Sequence, residues 1–300
     1  MISQLSRYQS ADEDSFRWRG FAFRPGDIVN STRSKSGTTW MQMICALLVL
    51  QTTDLPAPLA QLSPWMDWLV EPRDRVHERL AEQRHRRFIK THTPLDGVPS
   101  DPRVTYIVVA RHPLDMAVSL YHQSDNLDRN RLRTLTGQAP PGSPPSARLP
   151  VQEWLRSWIH RASDPRQELD SLPGVMWHLS DAWARRDQPN ILLVHYADLA
   201  ADLDGQMRQV ASRLGISVAA ADWPALVRAA TFAQMRERAE HLAPDPSGVL
   251  RNKQAFFREG GSGSGRQLLS ADEYAGYLAC ASRLAPADLM DWVHRDQDGR

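Results

Sequence analysis

The run Val104–Ala110 (VTYIVVA) constrains this chain more than any other segment. It is continuously apolar and rich in β-branched residues, and it stops at a polar Arg111-His112-Pro113. A half-exposed strand alternates polar with apolar residues. An unbroken apolar run of this length fits a strand covered on both faces, the usual setting of a parallel sheet. Shorter runs of the same kind recur at Asp27–Thr32, Phe88–Thr91 and Ile191–Tyr196. Between and after them lie helix candidates at Trp40–Leu50, Val76–Arg87, the segment after Pro113, Trp154–Arg161, Val175–Arg186 and Ala271–Leu284. Strands alternating with helices predict an α/β fold, a single domain over residues 1–300 with a central parallel sheet flanked by helices. Residues 1–26 read as an irregular lead-in, 125–150 as a flexible insert rich in Pro, Gly and Ser, and 260–265 as a Gly/Ser loop.

Composition narrows the partners. Basic and acidic residues nearly cancel, 36 against 35, for a formal net charge of +1, which argues against a nucleic-acid binder. The first twenty residues lack the apolar centre of a signal peptide. The longest apolar run, Met43–Leu50, is too short to span a membrane. The two cysteines, Cys45 and Cys280, both in apolar runs expected to be buried, match no zinc spacing. These features predict a cytoplasmic protein with no membrane span and no metal. Of the 36 basic residues, 33 are arginine and only Lys35, Lys90 and Lys253 are lysine. Two of these three compact ammonium groups fall in the polar turns discussed next, whereas Lys253 reads as a solvated charge.

In sheets of this kind ligands bind at the carboxyl ends of the strands. The turn after the first strand is Arg33-Ser34-Lys35-Ser36-Gly37-Thr38-Thr39-Trp40. Small polar residues before a helix start make a P-loop-like phosphate-binding loop, with backbone N–H groups and the helix dipole aimed at an anion. The order differs from Walker A, because Lys35 precedes Gly37. The same residues also suit an N-capped helix without a ligand. The second turn, Lys90-Thr91-His92-Thr93-Pro94, brings a histidine and a lysine to a strand end. The third places Arg111 after the apolar strand, with Ser119 eight residues beyond, where a guanidinium can clamp a phosphate. An Asp for Mg²⁺ is the residue expected there in a P-loop nucleotidase.

Taken together, KSGTTW, KTHTP and the Arg and Ser of ARHPLDMAVS resemble the cytosolic-type sulfotransferases, which use 3′-phosphoadenosine 5′-phosphosulfate (PAPS) and release PAP. Phe256-Phe257-Arg258-Glu259-Gly260 resembles the start of that family's closing motif, R-K-G-x-x-G-D-W-K. The resemblance runs in family order from residue 24 to about 266. It implies that Lys35, Ser36, Gly37, Thr38 and Thr39 hold the 5′-phosphosulfate. Trp40 and Phe232 flank the adenine, Arg111 and Ser119 take the 3′-phosphate, and Tyr196 contacts the nucleotide. Arg258, Glu259 and Gly260 fall on the last phosphate loop. His92 becomes the catalytic base, with Lys35 and Lys90 beside the transferred group.

Two departures stand out. Glu259 replaces a lysine, and Ser264-Gly265-Arg266 replace Asp-Trp-Lys. Either the glycine-rich stretch wraps a phosphate with its N–H groups and Arg266 supplies the charge, or GGSGSG is a linker. The expected reaction is sulfonate transfer to a hydroxyl of a small-molecule or lipid-like acceptor: lipid, glycolipid or secondary metabolite. Trp65, Met66, Trp68 and Leu69 are candidates for an apolar pocket over His92. The alternatives are an ATP-dependent P-loop kinase and a catalytically inactive nucleotide-binding relative. Oligomeric state is not legible.

Overall fold

The computed structural model describes residues 5–139 and 147–295. Its centre is a four-stranded sheet of β1 (Ile28–Ser31), β2 (Phe88–Thr91), β3 (Thr105–Ala110) and β4 (Ile191–His195). The strands are all parallel and lie in the order β2-β1-β3-β4. From β1 the chain crosses to one side to form β2, then returns past β1 to form β3. The reversal opens a crevice at the carboxyl ends of β1 and β3, the position where such sheets bind ligands.

Successive strand residues face opposite sides, and both sides are covered. Ile28, Ile107 and Val109 join one apolar layer with the helix Thr38–Leu50. Val29, Tyr106 and Val108 join the other, with the helices Pro113–Asn126 and Leu172–Trp183. This double cover is why the strands carry no polar alternation. The base of β1 is tied to that of β2 by a buried ion pair: Arg87 donates to both carboxylate oxygens of Asp27. Removing one partner of such a pair costs about 3–5 kcal/mol.

Several expectations change. The helix expected to reach Arg87 ends at Glu82, since Arg87 is drawn inward by Asp27. The lead-in is structured: Tyr8 and Trp18 are fully buried, and Ser15–Trp18 forms a 3-10 turn. The insert expected to be a loop contains the helix Arg129–Thr136. Asp128 caps it, accepting from the amides of Asn130 and Arg131, and buried Leu132 packs with Trp68 and Val249. Residues 140–146 of that insert lie outside the described residues. Cys45 is buried but Cys280 is only partly covered, beside His160 and Arg283. Lys253 pairs with Glu240 at 3.0 Å. No described helix is long and apolar enough to cross a membrane.

Candidate active site

The crevice at the strand ends is a cleft of about 1300 Å³ including its open mouth. Thirteen of the fifteen residues anticipated from sequence line it: Lys35, Gly37, Thr38, Thr39 and Trp40, Lys90 and His92, Arg111 and Ser119, Tyr196, Phe232, and Arg258 and Glu259. Ser36 and Gly260 do not. Ser36 is buried in the turn, its amide donating to the Arg33 carbonyl at 3.2 Å.

The turn after β1 is shaped by two left-handed residues. Gly37 has φ +105°, and a Cβ there would meet Tyr196 at 3.0 Å and Val109 at 3.3 Å, so only glycine fits. Lys35 has φ +61°, a region that costs a lysine backbone energy and is accepted where function demands it. The twist directs Nζ over the Phe256 ring, 3.8 Å from its centre. There it also lies 3.5 Å from Gln123 Oε1 and from the Phe256 carbonyl. Burial lowers the Lys35 pKa to about 7, with Arg111, Lys90 and Arg258 pushing the same way. Lys90 is also lowered to about 7 by burial, against the pull of Glu13 and Asp67, and its Nζ sits 3.4 Å above the Trp65 ring. Both ammonium groups are therefore half-released near neutral pH, and an anion in the cleft would restore their charge.

His92 is oriented by three contacts. Its Nδ1 bonds the Thr32 carbonyl. A carbonyl only accepts, so Nδ1 carries the proton and Nε2 is the basic nitrogen. The His92 amide donates to Asp67 Oδ2 at 3.0 Å, and Thr93 Oγ1 donates to the same oxygen at 3.0 Å. The Trp65 ring stands edge-on to the imidazole at 4.5 Å. Burial first, then Lys90 and Arg33, hold the His92 pKa well below the ordinary histidine value, so the ring is a neutral base.

Arg111 is fixed from three sides. Nη1 donates to the Lys35 carbonyl at 3.1 Å, Nη2 donates to the Gly261 carbonyl at 2.8 Å, and the guanidinium lies 4.3 Å from the centre of the Tyr196 ring. Its buried Nε has no hydrogen-bond partner within the protein. Trp40 is held by Nε1 donating to the Ala230 carbonyl at 2.8 Å and lies edge-on to Tyr196.

The closing loop is not a free linker, and two of its backbone amides are already taken. Asp115, buried in the first turn of its helix, accepts from the Gly263 and Gly265 amides, both at 2.8 Å. Those N–H groups are thereby used. A Cβ on Gly265 would lie 2.5 Å from the Leu114 backbone, so the stretch is pressed onto the helix and needs glycine there. Arg266 does not restore the missing charge at the cleft: it donates to the Leu269 carbonyl and covers the Tyr274 ring. Glu259 sits at the rim, paired with Arg258 at 2.6 Å.

The apolar half differs from expectation too. Trp65 and Trp68 stack at 4.7 Å and line the cleft, but Met66 points into the core and Leu69 lies away from it. Their places are taken by Leu127, Leu132, Val249 and Leu250. Sequence reasoning also missed Asp67 under His92 and the carboxyl groups of Asp12, Glu13 and Asp170 in the cleft. The first lies in SPWMDW and the others in ordinary polar stretches, so no local signal marks them.

Comparison with known proteins agrees with this geometry. The family model described as "Sulfotransferase domain" matches residues 25–275. A glycolipid sulfotransferase of Mycobacterium bovis is 39% identical over 311 residues, covering 97% of this chain and 95% of its own. One of Mycobacterium tuberculosis is 39% identical over 310 residues with the same coverage. Human sulfotransferase 2B1 is 26% identical over 86% of this chain and 70% of its own. Among solved structures, mouse sulfotransferase SULT7A1 complexed with PAP superposes with a TM-score of 0.66 at 18% identity, covering 93% of this chain and 92% of its own. Retinol dehydratase in a complex with retinol and PAP gives 0.62 at 20% identity, covering 95% and 85%. These structures share the fold, and the family match sets aside the kinase alternative. This chain belongs to the sulfotransferase family and is a sulfotransferase enzyme.

Proposed function

We propose that the protein transfers a sulfonate group from PAPS to a hydroxyl of a glycolipid-class acceptor in the cytoplasm. The observation that carries this is the meeting of Lys35, His92 and Arg111, each on the turn after a different strand, in one cleft. The class of acceptor is supported by the glycolipid sulfotransferases that share 39% of residues over nearly the whole chain. It is also supported by the apolar wall of Trp68, Leu127, Leu132 and Val249.

In this reading His92 Nε2 takes the acceptor's hydroxyl proton as its oxygen bonds to sulfur. The bond from sulfur to the 5′-phosphate oxygen breaks, and PAP departs with the electron pair. Lys35 and the start of the helix Thr38–Leu50 meet the charge that grows on the leaving oxygen, the kind of fixed stabilisation that contributes most to such catalysis. Lys90, stacked on Trp65, faces the transferred group. Arg111, with Ser119 beyond it, takes the 3′-phosphate, and Trp40 and Phe232 enclose the adenine beside Tyr196. Ser36 supports the turn from behind. Arg258 is the charged residue of the closing loop, with Glu259 and Gly260 completing its path rather than binding phosphate. Arg, Lys and the helix terminus supply the positive charge, and no metal takes part in this scheme. The free thiols of Cys45 and Cys280 suit a reducing compartment.

The test is incubation with PAPS labelled in the sulfonate group and n-octyl β-D-glucoside, alongside calorimetry with PAP. A labelled glucoside sulfate and a PAP complex are expected. Absence of PAP binding at millimolar concentration would overturn the proposal.

A further inference from the structure

Three carboxyl side chains, Asp12, Glu13 and Asp170, line the same cleft as a substrate that carries several negative charges. Glu13 bridges to Trp68 of the apolar wall, and Arg33 ties Glu13 and Asp170 to the backbone of His92, which puts these groups in the acceptor half. Glu13 is the one a ligand must complete. It is only 8% exposed, and its Oε2 is buried without a hydrogen-bond partner. Arg33 Nη1 stands 3.6 Å from that oxygen, outside hydrogen-bond range. The same guanidinium donates to the His92 carbonyl and, through Nη2, to Asp170 Oδ1 at 2.6 Å. One arginine thus links the carboxyl to the backbone of the base. The Glu13 backbone is fixed as well: it bridges to Trp68, and its amide donates to Ser10 Oγ at 3.1 Å. Burial raises the Glu13 pKa to about 8, so near neutral pH it can both donate and accept a hydrogen bond.

Arg33 and Lys90 already offset the nearby acids, so the arrangement favours neutral hydroxyl groups over a further cation. One hydroxyl is used at His92, and another is needed for Glu13. The apolar wall of Trp68, Leu127, Leu132 and Val249 receives the rest of the acceptor. We propose that Glu13 is a specificity residue that binds a second hydroxyl of the acceptor ring and so selects polyhydroxylated headgroups over simple alcohols. This rests on the sulfonate transfer proposed above.

The experiment compares n-octyl β-D-glucoside with 1-octanol as acceptors for wild type, Glu13→Ala and Glu13→Gln. PAP affinity and melting temperature are measured alongside. Wild type is expected to prefer the glucoside in kcat/KM. Glu13→Ala should shrink that preference by about 10- to 100-fold, the range for a lost buried hydrogen bond, chiefly through KM. Glu13→Gln, whose amide both donates and accepts, should keep most of the preference, and all three proteins should bind PAP alike. The inference is overturned if wild type shows no preference or Glu13→Ala leaves it intact. It is also overturned if Glu13→Gln is as impaired as Glu13→Ala, or if PAP affinity falls in step with acceptor selectivity. Failure of wild type to sulfonate either compound while binding PAP would sink the transfer reading itself, before any variant is considered.

Discussion

His92 Nδ1 is bonded to the main-chain carbonyl of Thr32, which joins the proposed base on the turn after β2 to the residue that follows β1. Adjacent parallel strands thus set the tautomer of the ring. A side-chain partner could itself titrate or move, whereas a carbonyl at a strand end does neither. In the neutral ring the basic nitrogen is therefore Nε2.

Because burial keeps His92 neutral, the acid limb of kcat/KM should lie below the ordinary histidine pKa of about 6.5. His92→Ala should reduce turnover by about 10²–10⁴-fold and leave PAP affinity intact. A pH–rate profile and PAP calorimetry check both statements. An acid limb centred at or above the ordinary value would contradict the first.

Lys35 has a pKa lowered to about 7, and binding the 5′-phosphate needs its charged form. The sign follows directly. Below about pH 7 it is protonated and PAP binds fully. Above it, affinity should fall by up to about tenfold per pH unit, with net proton uptake on binding. Calorimetry in buffers of different ionisation heat measures the uptake. Lys35→Ala should weaken the pH dependence as well as the affinity.

Arg111, locked by the Lys35 and Gly261 carbonyls, presents its guanidinium in one orientation. Arg111→Ala should weaken PAP by about 10- to 100-fold, the range for a charged hydrogen-bonded pair. Adenosine 5′-phosphosulfate, which lacks the 3′-phosphate, should lose far less. Competition titrations of both nucleotides decide it, since an equal loss for both removes Arg111 from that role.

Asp115 holds the closing loop through the Gly263 and Gly265 amides. Asp115→Ala leaves the buried Gly265 N–H without an acceptor, at a cost of about 1–3 kcal/mol in urea unfolding, and frees the half-buried Gly263 N–H at a smaller cost. PAP affinity should fall too, because Gly261 of the same loop braces Arg111. A variant with wild-type stability and wild-type affinity would show that the loop is held by other means.

His92, His112 and His178 are all buried, and burial lowers the pKa of each, that of His178 to about 3. The unfolded chain therefore binds protons that the folded chain refuses. Their contribution to stability is complete above about pH 6.5 and is lost as pH falls through the folded values. The urea midpoint should drop between about pH 7.5 and about pH 5.5. A flat midpoint over that range would be the contrary result.

The four strands and the polar turns after them are legible in the chain because each rests on local chemistry. An apolar β-branched run, a stop, and small residues before a helix are all contiguous. So is the requirement for glycine at 37, once a turn is placed there. What the local pattern misleads about is equally specific. GGSGSG has the composition of a linker, yet Asp115, about 150 residues earlier, pins it in place. Arg87 reads as the end of a helix and Arg33 as part of the phosphate-type turn, and both are buried against carboxylates from other parts of the chain.

The sequence by itself determined the layered α/β class, the phosphate-type turn with Lys35, and the strand-end positions of His92 and Arg111. Only the tertiary structure decided that Asp67 supports the base, that Arg33 joins Glu13 and Asp170 to it, and that Leu132 and Val249 rather than Met66 and Leu69 form the apolar wall. The reason is range. Periodicity and turn chemistry act over a few residues, whereas a buried charge meets its partner only after the β2-β1-β3-β4 order has brought distant segments together.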